Sequence, residues 1–279
     1  MRSEPLERLS TVDALDHAFA PPSAKRRPRG WIPRRVRRLA SRLLAVLSRR
    51  ESLRLPDRPR NGLRWSRFPP DQPPWARAVR EVALRCLVFP LVRLLYQVHV
   101  AGRPHLDGIK EPLIIAANHC LHLDNPLILM ALPPSVRRTT AIAAAEDSIF
   151  ANWRGRWAAL LGNAFPISRG RAPRRSLARI EAVLAEGYSV LIYPEGKLTV
   201  GGPMQPFKLG VGFLATETGA PVVPVFLDVR RFGPAEGKLW PPRGSVRIAI
   251  GQPIAFGRDE SPSAATSRIE SAIRALATP

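Results

Sequence analysis

The sequence predicts an α/β fold: a single mixed, mostly parallel sheet flanked by helices, preceded by membrane-associating N-terminal helices. Three observations predict it. From about residue 98 onward, short apolar runs of strand length alternate with segments of helical periodicity, the pattern of a sheet covered by helices. Hydrophobic residues make up 45% of the chain, ample for such a core. Ahead of residue 98, two segments place apolar residues at helical spacing with arginines around them.

Residues 1–30 read as a flexible leader ending in the basic, proline-rich stretch PPSAKRRPRG. The leader carries Glu4, Glu7, Asp13 and Asp16 and lacks an apolar core, so no secretory signal is expected. Residues 31–74 hold a basic amphipathic helix and a linker. In WIPRRVRRLASRLLAVLSRR, Val36, Leu39, Ala40, Leu43, Leu44 and Leu47 form one face, with Arg34, Arg35, Arg38, Arg42 and Arg49 opposite. This division suits a helix lying in the interface of an anionic membrane. A helix docked on its own domain has the same periodicity. Six prolines between residues 52 and 74 mark the linker. Residues 75–98, WARAVREVALRCLVFPLVRLLYQV, read as a helical segment at the membrane interface, kinked at Pro90. Arg93 argues against a bilayer crossing, and no stretch reaches about eighteen uncharged apolar residues.

Residues 99–279 form the remaining domain. Its strand-like runs are 113–117, 139–145, 189–193, 222–227 and 246–250. Helical runs are expected near 149–162, 173–186, 207–218 and 263–276.

The net charge is +21, and eleven Lys or Arg with no acidic residue lie between Pro21 and Arg50. Such an arm points to a polyanion, either nucleic acid or an anionic membrane surface. A nucleic-acid arm has no need of the apolar stripe, so an anionic membrane is the expected partner, at its cytoplasmic face, and no nucleic acid. Two cysteines, Cys86 and Cys120, give neither a CxxC spacing nor a disulfide framework, in keeping with a reducing compartment.

The stretch NHCLHLD, residues 118–124, follows the apolar run 112–117 and concentrates ligand atoms and proton carriers. A metal site draws further His or Cys from later in the chain. Here the remaining histidines, His17, His99 and His105, all lie upstream, and neither His nor Cys follows Asp124; no metal is expected. GYSVL lacks the second glycine of a nucleophile elbow. PEGKLT lacks the earlier glycine of a P-loop. What remains is a His/Asp pair without a protein nucleophile. His119 and Asp124 are five apart, so a loop leading into a helix must bring them together. An aspartate on one ring nitrogen fixes the tautomer, and the other nitrogen then takes a proton from an alcohol. Asn118 reads as a turn residue orienting the histidine loop.

Further blocks follow in order: GNAFPISRG (162–170), YPEGKLT (193–199), PFKLG (206–210) and GAPVVPVFL (219–227). Together with NHCLHLD they closely resemble the four sequence blocks of the glycerophospholipid acyltransferase family, which contains the 1-acyl-glycerol-3-phosphate acyltransferases. The resemblance covers about residues 98–255. It implies an O-acyltransferase that moves a fatty acyl group from acyl-CoA, or acyl-carrier protein, to a hydroxyl of a lysophospholipid such as 1-acyl-glycerol-3-phosphate, with no cofactor. It implies that His119 is the general base and Asp124 its partner. Arg169 is implied to hold the acceptor's phosphate, a task suited to a guanidinium fork. Glu195 and Gly196 match the third block, implicated in acceptor binding, and Lys208 is an additional phosphate contact. Pro224 matches the fourth block. The family's third block usually reads EGTR, whereas here Lys197 and Leu198 follow Glu195 and Gly196, a departure that bears on the acceptor headgroup. The rival to an enzyme is a membrane-binding module of the same fold; His119, Asp124, Arg169 and Glu195, all retained, count against it.

Overall fold

The computed structural model of the protein describes residues 74–121, 123–146, 159–168, 173–231 and 244–277. The basic helix and linker expected within 31–74, His122, Arg169 and most of the helix expected at 149–162 lie outside the described residues.

Strands whose every residue is apolar need cover on both faces, and the sheet obtains it. Its seven strands are β1 (Tyr96–Ala101), β2 (Ile114–Ala117), β3 (Thr140–Ala145), β4 (Ala164–Ile167), β5 (Ser189–Ile192), β6 (Val222–Arg231) and β7 (Gly244–Ile250). They run in the order β1-β7-β6-β2-β5-β3-β4. Every neighbouring pair is parallel except β6 and β7. Alternate residues of β2 serve different cores. Ile115 and Ala117 join the cluster of Leu127, Ile128 and Leu84. Ile114 and Ala116 join that of Ile180, Leu214 and Ile269. The first face is thus covered by α2 (Phe89–Leu95) and α3 (Asp124–Ala131), with Leu84, just after α1 (Pro74–Ala83), and Val136 of α4 (Pro134–Thr139) packed beside them. The second is covered by α5 (Pro173–Ala185), α6 (Gly210–Thr218) and α7 (Pro262–Ala275).

Two strands were not among the expected five, and each has a physical reason for being missed. Tyr96–Ala101 alternates buried and exposed residues, but it follows directly on an apolar helix. The segment expected to stay helical to residue 98 therefore turns to strand at Tyr96. β4 contains Pro166, which normally argues against a strand, yet β4 is the last strand in the order, where the missing N–H costs no ladder bond. Pro224 sits in the central strand β6 on similar terms. Its carbonyl accepts from Gly251 N at 2.8 Å, so its nitrogen also faces the β7 side, where pairing begins only at Val225.

The kink expected at Pro90 takes another form. A π turn, Leu84–Val88, joins α1 to α2, and the Phe89 N–H donates to the Leu84 carbonyl. The wider turn lies where Pro90, lacking an N–H, would interrupt an α-helical ladder. It also has a consequence for the surface. Trp75, Val79 and Val82 are exposed, and so are Leu87, Leu91 and Leu94. The five-residue step from Val82 to Leu87 leaves a common face in an α-helix but keeps it across a π turn. The opposite side is fastened: Arg80 Nε donates to the Leu161 carbonyl at 2.9 Å, and Glu81 accepts from Arg137 of α4. Among the described residues, no helix is long and apolar enough to cross a membrane.

Candidate active site

β2 ends at Ala117 and β5 at Ile192, and the two strands are paired. In an α/β sheet the crevice beyond the carboxyl ends of such strands is where ligands bind. The loops leaving these two strands carry residues 118–123 and 193–209.

Asn118 extends β2 with its side chain. Its amide donates to the Leu227 carbonyl at 3.0 Å and accepts from Leu227 N at 2.7 Å, replacing the backbone partner that β6 would lose beyond Ala117. The chain then turns, with Asp124 N donating to the Leu121 carbonyl at 3.1 Å, and α3 begins at Asp124. The turn brings Asp124 back toward His119. His119 Nδ1 lies 2.8 Å from Asp124 Oδ2. The same oxygen accepts from Cys120 N at 2.8 Å and Leu121 N at 3.0 Å. Asp124 is fully buried in the first turn of α3, where the helix dipole favours its negative charge. A carboxylate accepts only, so Nδ1 carries the ring proton and Nε2 keeps its lone pair.

The third block clamps the backbone of the same histidine. Glu195 Oε1 accepts from His119 N at 2.8 Å, and Thr199 N donates to the His119 carbonyl at 2.8 Å. Glu195 Oε2 accepts from Gln205 N at 2.8 Å and from Thr199 Oγ1 at 3.4 Å. At 4% exposure, the Glu195 carboxylate is spent on holding loops. Gly196 adopts φ +71°, left-handed backbone that glycine enters without strain. A side chain there would run into Lys208, whose Nζ would lie 2.4 Å from the added carbon. Lys208 is itself exposed, and its N–H donates to the Pro194 carbonyl at 3.0 Å.

Tyr193 completes the arrangement. Its ring stacks on His119 with centroids 4.1 Å apart and planes 18° off parallel, and its hydroxyl donates to Asn125 Oδ1 at 2.6 Å. Burial, with Asp124 nearby, pushes the Tyr193 hydroxyl well above its ordinary range. Burial and Asp124 push the Cys120 thiol up as well, so both groups stay protonated beside the dyad. Of the side chains singled out in the sequence, the structure brings His119, Asp124, Glu195, Gly196 and Lys208 together; β4 ends at Ile167, two positions short of Arg169. Tyr193, Asn125 and Thr199 escaped the sequence reading. The signal that could have found Tyr193 was its place directly after a buried strand, in the loop that carries Glu195. Among the described residues, no three His, Cys, Asp or Glu side chains come together as metal ligands would.

The model of the acyltransferase family matches residues 97–228. A chloroplastic 1-acyl-sn-glycerol-3-phosphate acyltransferase of Brassica napus is 29% identical over 168 residues, 57% of this chain and 45% of that protein. A lyso-ornithine lipid O-acyltransferase of Pseudomonas aeruginosa is 31% identical over 180 residues, 58% of this chain and 65% of that protein. The crystal structure of the 1-acyl-sn-glycerophosphate acyltransferase of Thermotoga maritima is similar at a TM-score of 0.49 and 22% identity, covering 72% of this chain and 76% of that one. The chain spans about half the length of the curated relatives it matches. It carries the four ordered blocks, and the family model matches residues 97–228; these findings support placing the chain with the glycerophospholipid acyltransferases.

Proposed function

We propose that the protein transfers a fatty acyl group from a thioester, acyl-CoA or acyl-carrier protein, to the hydroxyl of a lysolipid. The observation that carries this reading is the 2.8 Å contact between His119 Nδ1 and the buried Asp124, which leaves Nε2 as a base with no enzyme nucleophile to activate. Nε2 takes the proton of the acceptor hydroxyl as its oxygen attacks the thioester carbonyl carbon. The tetrahedral intermediate collapses, the carbon–sulfur bond breaks, and the departing thiolate takes the proton back from the imidazolium. Asp124 stabilises the imidazolium while it exists. Glu195, Thr199 and Tyr193 act by positioning the histidine. Arg169 and Lys208 are assigned to anionic groups of the bound substrates, the family blocks implying a phosphate. No metal or redox cofactor enters the scheme, and chelation is expected to leave turnover unchanged.

The exposed apolar face of α1 and α2, with Arg77 and Arg93 exposed on these helices and Arg85 exposed in the π turn between them, supports docking on an anionic membrane surface. The acceptor is a lysolipid, and the Brassica relative is named for one candidate, 1-acyl-sn-glycerol-3-phosphate. One observation favours a second acceptor. Leu198 stands where the family's third block usually has arginine, and a relative with 65% of its length matched is named for a lyso-ornithine lipid. The test is labelled acyl-CoA and acyl-carrier protein offered with a panel of lysolipids. Transfer by the intact chain and a loss of about 10²–10⁴ in His119→Ala are expected. Undiminished turnover by folded His119→Ala would end the proposal.

A further inference from the structure

Beside the dyad lies charge that the reaction scheme does not use. A cavity of about 730 Å³ adjoins His119 through Asn118 and Cys120, and its remaining walls are the 200–204 loop, the end of β6 and the last turns of α7. In the 200–204 wall, Gly201 and Gly202 present backbone alone between Val200 and Pro203. Among the described residues, two charged side chains line it, Asp228 of β6 and Arg274 of α7.

These two do not pair with each other. Asp228 meets Arg230 at 3.3 Å, and Arg230 is 80% exposed, so that pair is weak and readily displaced. Arg274 is held from behind. Its Nε and Nη2 donate to Glu270 Oε1 at 3.0 and 2.7 Å, and Nη2 also reaches the Met204 carbonyl at 3.3 Å. Glu270 Oε2 accepts from Phe207 N at 2.9 Å, which ties α7 to the loop that follows the third block. Nη1 makes none of these bonds, and the Arg274 side chain is 47% exposed. The charge of Asp228 also reaches the histidine loop, where it is one of the groups holding the Cys120 thiol protonated. Arg274 lies beyond the residues that match the family model, so no family block assigns it a role.

We propose that Asp228 and Arg274 select the acceptor, and that its headgroup is zwitterionic, with an ammonium at Asp228 and a carboxylate or phosphate at Arg274. A cavity with one carboxylate and one guanidinium, unpaired with each other, is complementary to a ligand carrying both charges. A purely anionic headgroup would meet Asp228 with repulsion. The identity of the ligand as an acceptor rests on the acyl-transfer reading, but the selectivity in binding does not.

The test is equilibrium binding to the full chain carrying His119→Ala, which blocks turnover. The probes are lysophosphatidate, lysophosphatidylethanolamine and a lyso-ornithine lipid, each kept below its micelle concentration. The two zwitterionic lipids should bind more tightly than lysophosphatidate, and their ranking tells phosphate from carboxylate. Adding Asp228→Asn should weaken both zwitterionic lipids about tenfold or more without weakening lysophosphatidate, as expected for loss of a charge-assisted bond. Adding Arg274→Gln should weaken all three, and Arg274→Lys, which keeps the charge, should recover part of the loss if the Gln variant folds poorly. A preference for lysophosphatidate, or a ratio that Asp228→Asn leaves unmoved, would overturn the proposal. So would loss of CoA binding in place of lysolipid binding, which would give the cavity to the donor. Selective binding without any transfer by the chain with His119 intact would refute acyl transfer and leave the headgroup assignment standing.

Discussion

Asp124→Asn separates the geometry of the dyad from its charge. In the native protein Asp124 Oδ2 receives His119 Nδ1, Cys120 N and Leu121 N. The two backbone donors are fixed by the turn, so the asparagine amide must point its oxygen at them. The Nδ1 proton then keeps its acceptor, and the histidine keeps its tautomer and its stacking on Tyr193. What disappears is the negative charge facing the imidazolium of the transition state. With the ring's positive charge centred about 4 Å from the carboxylate and an effective dielectric of about 20, that attraction is about 4 kcal/mol. This corresponds to roughly a thousandfold in rate. The expected outcome is a folded variant with kcat for labelled acyl transfer reduced by about 10³ and KM for the lysolipid little changed. Thermal unfolding should confirm the fold. Transfer within about tenfold of the native rate would show that Asp124 acts as a spacer and not through its charge.

Three further outcomes follow from the same geometry. Glu195→Ala removes the acceptor of the half-buried N–H groups of His119 and Gln205, at about 1 kcal/mol each, so a lower Tm and a lower kcat are expected together; Glu195→Gln, which keeps an acceptor, should lose less of both. The Cys120 thiol is pushed up by burial and by Asp124. A raised pKa means less thiolate at any given pH, so iodoacetamide at mildly alkaline pH should label exposed Cys86 well before Cys120, as read by peptide mass spectrometry. Glu81→Ala strands the buried guanidinium of Arg137 and should cost about 3–5 kcal/mol, measured by denaturant unfolding; a change under 1 kcal/mol would show that α1 does not depend on this pair.

The parts of the fold legible in the sequence are those where one periodicity runs uninterrupted. The buried runs at β2, β3 and β5 and the amphipathic patterns of α5 and α7 fall within a residue or two of expectation. β1 was illegible because a strand of alternating residues begins where an apolar helix stops, and nothing between Leu95 and Tyr96 punctuates the change. The π turn was illegible too, since Pro90 announces a disturbed helix but not how the backbone absorbs it. In the site, the His119–Asp124 contact was foreseeable from spacing plus the need for a turn into a helix. The environment of Glu195 was not, because its two oxygens serve backbone amides, and a backbone amide leaves no mark on the sequence. Tyr193 was hidden for the opposite reason. A tyrosine after an apolar run is ordinary, and only the pairing of β2 with β5 makes it a platform for the histidine.

That pairing explains why a weak motif becomes specific when the later blocks follow it. A histidine and an aspartate five apart are common in any chain. Here the base is held by groups far away in sequence: Glu195 and Thr199 bind its backbone, Tyr193 lies under its ring, and Leu227 anchors the neighbouring Asn118. In the sheet, β2 lies between β5 and β6, so the loops that follow β2 and β5 meet at one end, beside the outer half of β6. The third block is the loop after β5, and the fourth runs into β6. Blocks far apart along the chain are therefore neighbours in the sheet, and the first, third and fourth meet around the same imidazole. A change in the third block that spares Glu195, as Leu198 does, leaves the base in place and alters only what lies beyond it. On the proposed mechanism the position of the base and the choice of acceptor are separable: the first rests on backbone clamps at the strand ends, the second on the proposed pair Asp228 and Arg274, which line the adjoining cavity.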